Sequence, residues 1–217
     1  MTTGEFRKRQ LVTSIYLPSL LITAAEGALL PILPVSAVGF GFSLAEASIV
    51  TTVLMVSTMV FEVPASWINA KIGERNAMLV STVLGFAMTL LAFFQLGYPA
   101  LILSALGFGA AHSIFGLARH SLLAEIVPEQ HRPKSMSLLG GMFRGGMAIG
   151  PVVGSAFIVL YGVEFGYLAA ALLSLAAGAS VLTVPAGRLK ATPSGQNGNM
   201  WAVARREAPK LATLGVA

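Results

Sequence analysis

The sequence predicts an all-α integral membrane protein that forms a bundle of six transmembrane helices. Hydrophobic residues make up 55% of the 217 residues and charged residues only 11%, and the mean hydropathy is +0.79. Soluble globular proteins carry about 25% charged residues, so this composition excludes a soluble domain. The apolar residues fall into six runs, and each run matches the ~20 residues that cross a bilayer as a helix.

The first run follows the basic group Arg7, Lys8 and Arg9. It is too long for the core of a signal peptide and ends without a small-residue cleavage site, which predicts an uncleaved first helix. The later runs are separated by short connections that contain glycine, proline or charged residues. The six predicted spans are residues 11–33, 47–68, 77–97, 99–118, 136–160 and 165–185.

The end of the chain changes composition abruptly. Residues 193–199 are polar and rich in glycine and asparagine, which is typical of a flexible linker. Residues 211–217 are apolar again, and we expect them to begin a seventh helix that is cut short. The predicted organisation is a cytoplasmic N-terminus at 1–10, a six-helix transmembrane unit at 11–188, and a cytoplasmic linker with that helix start at 189–217.

Lysine and arginine predict the orientation in the membrane. Of the 14 Lys and Arg residues, 13 precede the first span, lie in the second and fourth connections, or follow the sixth span, and Arg119 is assigned to the fourth connection. The other connections contain none. The positive-inside rule therefore predicts that both termini are cytoplasmic, in a plasma or inner membrane.

Two ionisable residues inside spans stand in matching local sequences. Glu26 follows two alanines in the first span, and His112 follows two alanines in the fourth span. Intramembrane ionisable residues are costly and are functional candidates by default. At ~1.5 Å per residue, the predicted spans place Glu26 roughly 20 Å and His112 roughly 10 Å from the cytoplasmic ends of their helices. The alternatives are a structural hydrogen bond for Glu26 and simple packing for His112.

Arg144 is the remaining basic residue and lies within the apolar fifth span. Glu62, near the inner end of the second span, falls at a similar depth. A lone buried charge is strongly destabilising, so we expect these two residues to form a buried ion pair that is structural.

The fifth span also carries a stripe of glycines. Gly146, Gly150 and Gly154 are four residues apart and form one smooth helix face, to which a second helix can approach closely. Pro151 removes a backbone donor within that stripe and can bend the helix. The stripe is interpreted either as a packing surface or as the hinge of a moving helix.

The residues exclude several other functions. The basic residues form no continuous stripe with interleaved aromatic residues, so we expect no nucleic-acid binding. His112, His120 and His131 lack the spacing of metal ligands. The sequence contains neither aspartate nor cysteine, which removes the usual partner of a catalytic triad and any thiolate chemistry. We therefore expect no enzyme, no metal and no cofactor.

From residue 11 to about 188 the chain resembles the major facilitator superfamily of secondary transporters. The second connection, from Ser66 to Arg75, retains a basic residue, a glycine and a final arginine of the family motif, but Ala70 replaces its aspartate. The resemblance implies a gating loop at Lys71, Gly73 and Arg75. The glycine stripe with Pro151 resembles the signature of proton-linked antiporters, with Ser155 in place of a last glycine, and Leu103 stands where the family has an arginine.

This resemblance implies a half-transporter built of two inverted three-helix repeats, whose first helices line the substrate cavity. The expected function is proton-coupled transport of a small organic solute by alternating access, as an efflux antiporter. Glu26 would carry the coupling proton and His112 would assist. The expected partners are the lipid bilayer, a small-molecule substrate, and a C-terminal half or a second copy of the chain. A membrane-embedded accessory subunit that does not transport is the alternative.

Overall fold

A computed structural model describes residues 12–182. The predicted segments 1–10 and 189–217, including the expected helix start at 211–217, lie outside the described residues. Within 12–182 the regular secondary structure is entirely helical, with no strand. Helix α1, Leu17–Gly39, follows a π-helical turn at Val12–Tyr16. The helices after it are α2 (Leu44–Val60), α3 (Glu62–Ile72), α4 (Glu74–Phe93), α5 (Tyr98–Ile126), α6 (Arg132–Tyr161) and α7 (Val163–Leu182).

The prediction of a helical membrane bundle with six spans is confirmed. Five stretches are individually long and apolar enough to cross a membrane, namely α1 with its π-turn, α4, α5, α6 with the short 3-10 helix before it, and α7. Helices α2 and α3 are bent by 51° at Phe61 and give the sixth span when they are counted as one broken span. Pro64 has no amide hydrogen for the carbonyl of Val60, and this loss explains why the helix breaks and restarts there.

Several predicted span boundaries are wrong. Helix α1 continues past Leu33 and through Pro34 to Gly39, and α5 continues past Ala118 to Ile126. The apolar run ends at Ala118 because Arg119 and His120 follow it, but the helix does not end there. Hydropathy marks where polar residues begin, whereas a helix ends only where its backbone hydrogen bonds end.

Tight connections hold neighbouring spans side by side. Gly73 alone joins α3 to α4, and Gly162 alone joins α6 to α7. Their φ angles of +79° and +118° lie where L-residues with a side chain are strained. At the end of the bundle that holds the first, third and fifth connections, Phe42 stacks on Tyr98 with ring centroids 4.1 Å apart. The Tyr98 hydroxyl also donates to the Glu46 carbonyl over 2.9 Å.

Helices α1 and α5 occupy the centre of the described bundle. Helix α1 packs mainly on α6 and α7, and α5 packs mainly on α2 and α4, while α4 and α7 contact each other. This pattern is unchanged when α1, α2–α3 and α4 are exchanged for α5, α6 and α7, as two related three-helix repeats require. Within the apolar stretches, 67% of the first span and 61% of α5 are buried, against 17% for α6.

Candidate functional site

The site lies at the contact between the two central helices. His112 on α5 faces Glu26 on α1, with 3.3 Å between His112 Nδ1 and Glu26 Oε2. Glu26 is 5% exposed and His112 is 8% exposed. The two atoms are within ion-pair distance, yet neither has a partner in hydrogen-bond geometry among the described residues. The sequence-predicted residues therefore meet, but the contact leaves hydrogen-bonding capacity unused.

The two residues lie at the same depth, so the predicted difference in level is wrong. Because α5 extends to Ile126, His112 lies about 21 Å from the inner end of its helix, and Glu26 lies about 21 Å from Val12, at ~1.5 Å per residue. The error in depth came entirely from ending the fourth span at Ala118. Residues in matching positions of the two repeats thus contact each other across the centre of the bundle.

Arg119 is a third member of this site, and its assignment to the fourth connection is wrong. It lies inside α5 and is only 6% exposed. Its Nε and Nη1 atoms are buried without a hydrogen-bond partner among the described residues, and its charge interacts with that of Glu26. One signal was available in the sequence. Arg119 follows His112 by seven residues, which places both on one face of a helix at 3.6 residues per turn.

Other buried polar atoms without partners lie on α5, on α3 and in the π-turn before α1. They include Ser113 Oγ beside His112, Asn69 Oδ1 on α3 and Ser14 Oγ in the π-turn before α1. The Asn69 side chain reaches α5 through its amide nitrogen, 3.5 Å from the Ile114 carbonyl. Native proteins leave few buried polar groups unpaired, and those that remain call for an explanation such as a bound ligand, water or proton chemistry. In this chain the unpaired polar atoms lie on α5 or on segments that pack near it.

One aromatic ring borders the site on the α6 side. The Phe143 ring meets the His112 imidazole nearly edge to face, with centroids 6.4 Å apart and an interplanar angle of 82°. An edge-on aromatic contact fixes the position of the imidazole without supplying a strong hydrogen-bond acceptor. The imidazole is held in place while Nδ1 stays available to Glu26.

The glycine stripe packs directly on the helix that carries Glu26. A Cβ atom added to Gly146 or Gly150 would come within 3.0 Å of α1 backbone around Ala24, and one added to Gly154 would lie 3.1 Å from Ala28 Cβ. The contact is therefore backbone to backbone, as the small residues allow. Pro151 lies inside a continuous α6. The packing interpretation has direct geometric support, whereas the hinge at Gly146, Gly150, Pro151 and Gly154 stays a prediction.

The predicted ion pair between Glu62 and Arg144 is not formed. Both side chains are exposed, and among residues 12–182 no salt bridge joins them. Arg144 precedes Gly146 by two residues, so at ~100° per residue it points away from the face that packs on α1. Similar depth was a necessary condition for the pair, but it did not determine which way each side chain points.

The predicted gating loop forms the turn between α3 and α4. Lys71 is exposed near the end of α3, Gly73 supplies the positive φ that the turn needs, and Arg75 is half-buried in the first turn of α4. The glycine therefore has a conformational reason to be there whether or not the loop gates. The gating role stays a prediction.

These features define the class of protein. A helical bundle with six apolar spans and a buried group of ionisable residues between its central helices is a multi-pass membrane protein with polar chemistry in its interior. A comparison with protein families identifies it further. The model of the Major Facilitator Superfamily matches residues 15–214, and the chain belongs to this family of membrane transporters, which are not enzymes.

A relative in rice has a related sequence over part of its length. Over 113 residues the chain is 30% identical to "Probable anion transporter 7" of Oryza sativa subsp. japonica. The matched segment is 51% of this chain and 26% of the rice protein. The chain thus matches about a quarter of that relative.

Proposed function

We propose that the chain forms one half of a proton-coupled secondary transporter that exports a small organic solute. The observation that carries the proposal is the buried contact between Glu26 and His112, 3.3 Å apart at the centre of the bundle. In transporters of this architecture two six-helix units rock against each other around a site near the midplane. Glu26 is near the middle of the candidate span Val12–Gly39, and a bilayer and a small-molecule substrate are the partners that membership of the family implies.

Glu26 would act as the proton-binding group. When the carboxylate is charged, the buried charge of Arg119 is compensated, and when it is protonated, the arginine is left with an uncompensated charge. One proton therefore changes the net charge of a buried site by one unit, and burial makes that change energetically large. The protonation state and the arrangement of the helices are coupled in this way.

The test replaces Glu26 by glutamine, which keeps the shape and removes the titratable group. The assembled transporter, with this chain and its opposing half, is placed in vesicles and supplied with ethidium as a cationic probe or malate as an anionic probe. For the probe that the wild type accumulates, we expect Glu26→Gln to abolish accumulation driven by a proton gradient and to retain exchange at equal concentrations. Glu129→Gln, at an exposed site in the 3-10 helix between α5 and α6, is the control.

Each of the other outcomes would support a different role for Glu26 or for the chain. Loss of probe binding itself would make Glu26 a ligand for the solute, and unchanged gradient-driven transport would remove it from the mechanism. A wild-type protein that binds its opposing half but moves neither probe would favour an accessory membrane subunit. The direction of transport relative to the proton flow decides between exchange and co-transport.

An anionic solute is the second candidate, and Arg119 favours it. Two buried guanidinium nitrogens without partners are hydrogen-bond donors of the kind that carboxylate and phosphate groups accept. The rice relative carries the name of an anion transporter. If protonation of Glu26 frees Arg119 to bind the anion, thermodynamic linkage requires that anion binding also raises the affinity of Glu26 for the proton. Malate and protons would then move in the same direction, whereas a cation that competes with the proton for Glu26 would be exchanged for it.

A further inference from the structure

Phe143 is the residue through which α6 reaches the ionisable site. Helix α6 packs mainly on α1 and α7 and makes only slight contact with α5. The Phe143 ring nevertheless meets the His112 imidazole on α5, with centroids 6.4 Å apart and an interplanar angle of 82°. One aromatic side chain therefore bridges two helices that hardly touch, and it does so at the buried site.

The position of this ring shields the site. His112 and Glu26 are buried, whereas Phe143 is half-buried, so part of its surface is open. The helix that carries Phe143 is itself poorly covered, since only 17% of its apolar stretch is buried. A half-buried ring between an open helix face and a buried imidazole separates that imidazole from the molecules that occupy the open face.

The ring has free space on one side. In a helix the common χ1 rotamers of an aromatic side chain point back onto the residues three and four positions earlier, which are here Gly140 and Leu139. Leu139 is buried, whereas Gly140 is exposed and has nothing within 4 Å of the position of a Cβ atom. The ring is thus absent from the space over Gly140 and can turn into it without a clash among the described residues.

We propose that Phe143 is a movable lid on the site formed by Glu26 and His112. In the structure the ring lies against His112 and closes the site, and rotation over Gly140 opens the site to water and solutes at the exposed face of α6. Rotation of one side chain requires no helix movement, so the lid can open before the two units of the transporter rearrange. The proposal rests on the proposed function for the role of the site, but the shielding of His112 can be measured without it.

Chemical modification of His112 measures how often the site is open. Diethyl pyrocarbonate, a small reagent that modifies histidine side chains, is added to the assembled transporter, and modified peptides are quantified by mass spectrometry. Trypsin cleaves after Arg119, so the peptide that ends there carries His112 and the next peptide carries His120 and His131. His120 and His131 are exposed and serve as the internal standard. We expect slow but measurable modification of His112 in the wild type.

Two substitutions in α6 should change this rate in opposite directions. Phe143→Ala removes the lid and should speed the modification of His112, relative to the standard, at least tenfold. Gly140→Leu fills the space that the ring needs for opening and should slow the modification at least threefold. A general loss of stability would raise the rate in both variants, so opposite changes distinguish a lid from a side chain that only packs.

Gly141→Leu is the matched control for Gly140→Leu. Gly141 is also exposed and has nothing within 4 Å of its Cβ position, but at ~100° per residue it lies about 200° around the helix from Phe143. Its rate should stay within twofold of the wild-type rate. Phe143→Leu keeps an apolar side chain over the site and should restore most of the protection that Phe143→Ala loses. Co-purification of the opposing half verifies that each variant assembles.

Three results would overturn the lid. They are equal rates in the wild type and Phe143→Ala, equal slowing by Gly140→Leu and Gly141→Leu, and a wild type whose exposed histidines are fully modified while His112 is never modified.

Proton leak tests the link to coupling separately. In vesicles without solute, Phe143→Ala should raise the leak of protons at least fivefold, because the site stays open to water. Faster modification of His112 with an unchanged leak would support the lid and contradict the proton-binding role of Glu26.

Discussion

The contact between α1 and α6 makes a quantitative prediction at Gly150. An alanine Cβ there would lie 2.7 Å from Ala28 N and 2.9 Å from the Gly27 carbonyl carbon, and closer still to the Ala24 carbonyl oxygen. All three are backbone atoms, which cannot rotate away as a side chain does. Ordinary contact begins at 3.4 Å, so the two helices must separate by roughly 1 Å, and overpacking of this kind costs about 1–3 kcal/mol.

The matched control lies in the same helix. Gly141 has nothing within 4 Å of the position where a Cβ would be, and its backbone is helical. Gly141→Ala should therefore be neutral or stabilising by up to about 1 kcal/mol, because alanine is the better helix former. The two substitutions add the same methyl group, so their difference isolates the packing against α1.

Thermal unfolding of the purified 217-residue chain in detergent measures this difference. For a domain of this size, 1 kcal/mol shifts the midpoint by about 2–4 °C, so Gly150→Ala should lower it by roughly 2–12 °C relative to wild type. Gly141→Ala should leave it unchanged or raise it slightly. Equal midpoints for the two variants would show that α1 and α6 are not in backbone contact, and the geometry derived for the stripe would be refuted.

Three further predictions address topology, transport and the buried charges. Reporters fused after Gly162 should be external and those after Gln130 cytoplasmic, and a cytoplasmic signal after Gly162 would contradict the predicted orientation. Monomers of the chain in vesicles should move no solute against a proton gradient, since one six-helix unit has no opposing wall; coupled flux by monomers would contradict the half-transporter. Glu26→Gln and Arg119→Leu should each lower the free energy of unfolding by about 0.5–3 kcal/mol, and the double variant should recover part of the loss because the two charges influence each other in the buried site. Additive losses in this cycle would mean that the two charges do not interact.

Composition and hydropathy were sufficient to predict the class of fold. Burial of backbone groups in lipid permits few structures, so long apolar runs indicate helices with little ambiguity. The ends of those helices were less predictable, because a helix whose inner turns contact protein tolerates charged residues. Helix α5 continues for eight residues beyond Ala118. Because the predicted span ended at Ala118, Arg119 was assigned to a connection and not to the site.

The site was predictable in part. Glu26 and His112 could be selected because ionisable residues within apolar runs are rare and costly. Their contact could not be derived, since it depends on how α1 and α5 pack. The predicted pairing of Glu62 with Arg144 was wrong because the sequence positions gave only their similar depth. They did not give the direction in which each side chain points around its helix axis. The glycine stripe already contained that information, because it fixes which face of α6 meets α1.

Helix α1 brings the glycine stripe and the ionisable site into one structural unit. Ala24 and Ala28 meet the stripe of α6, while Glu26, two residues from each, faces His112 on α5. A step of two residues turns a helix by about 200°, so α1 presents the two contacts on opposite faces. The first contact is made by backbone atoms and leaves no long side chain to absorb a displacement. Any shift of α6 relative to α1 must therefore be accommodated by the backbone that carries Glu26, and the position of its carboxylate relative to His112 depends on the glycines of a different helix.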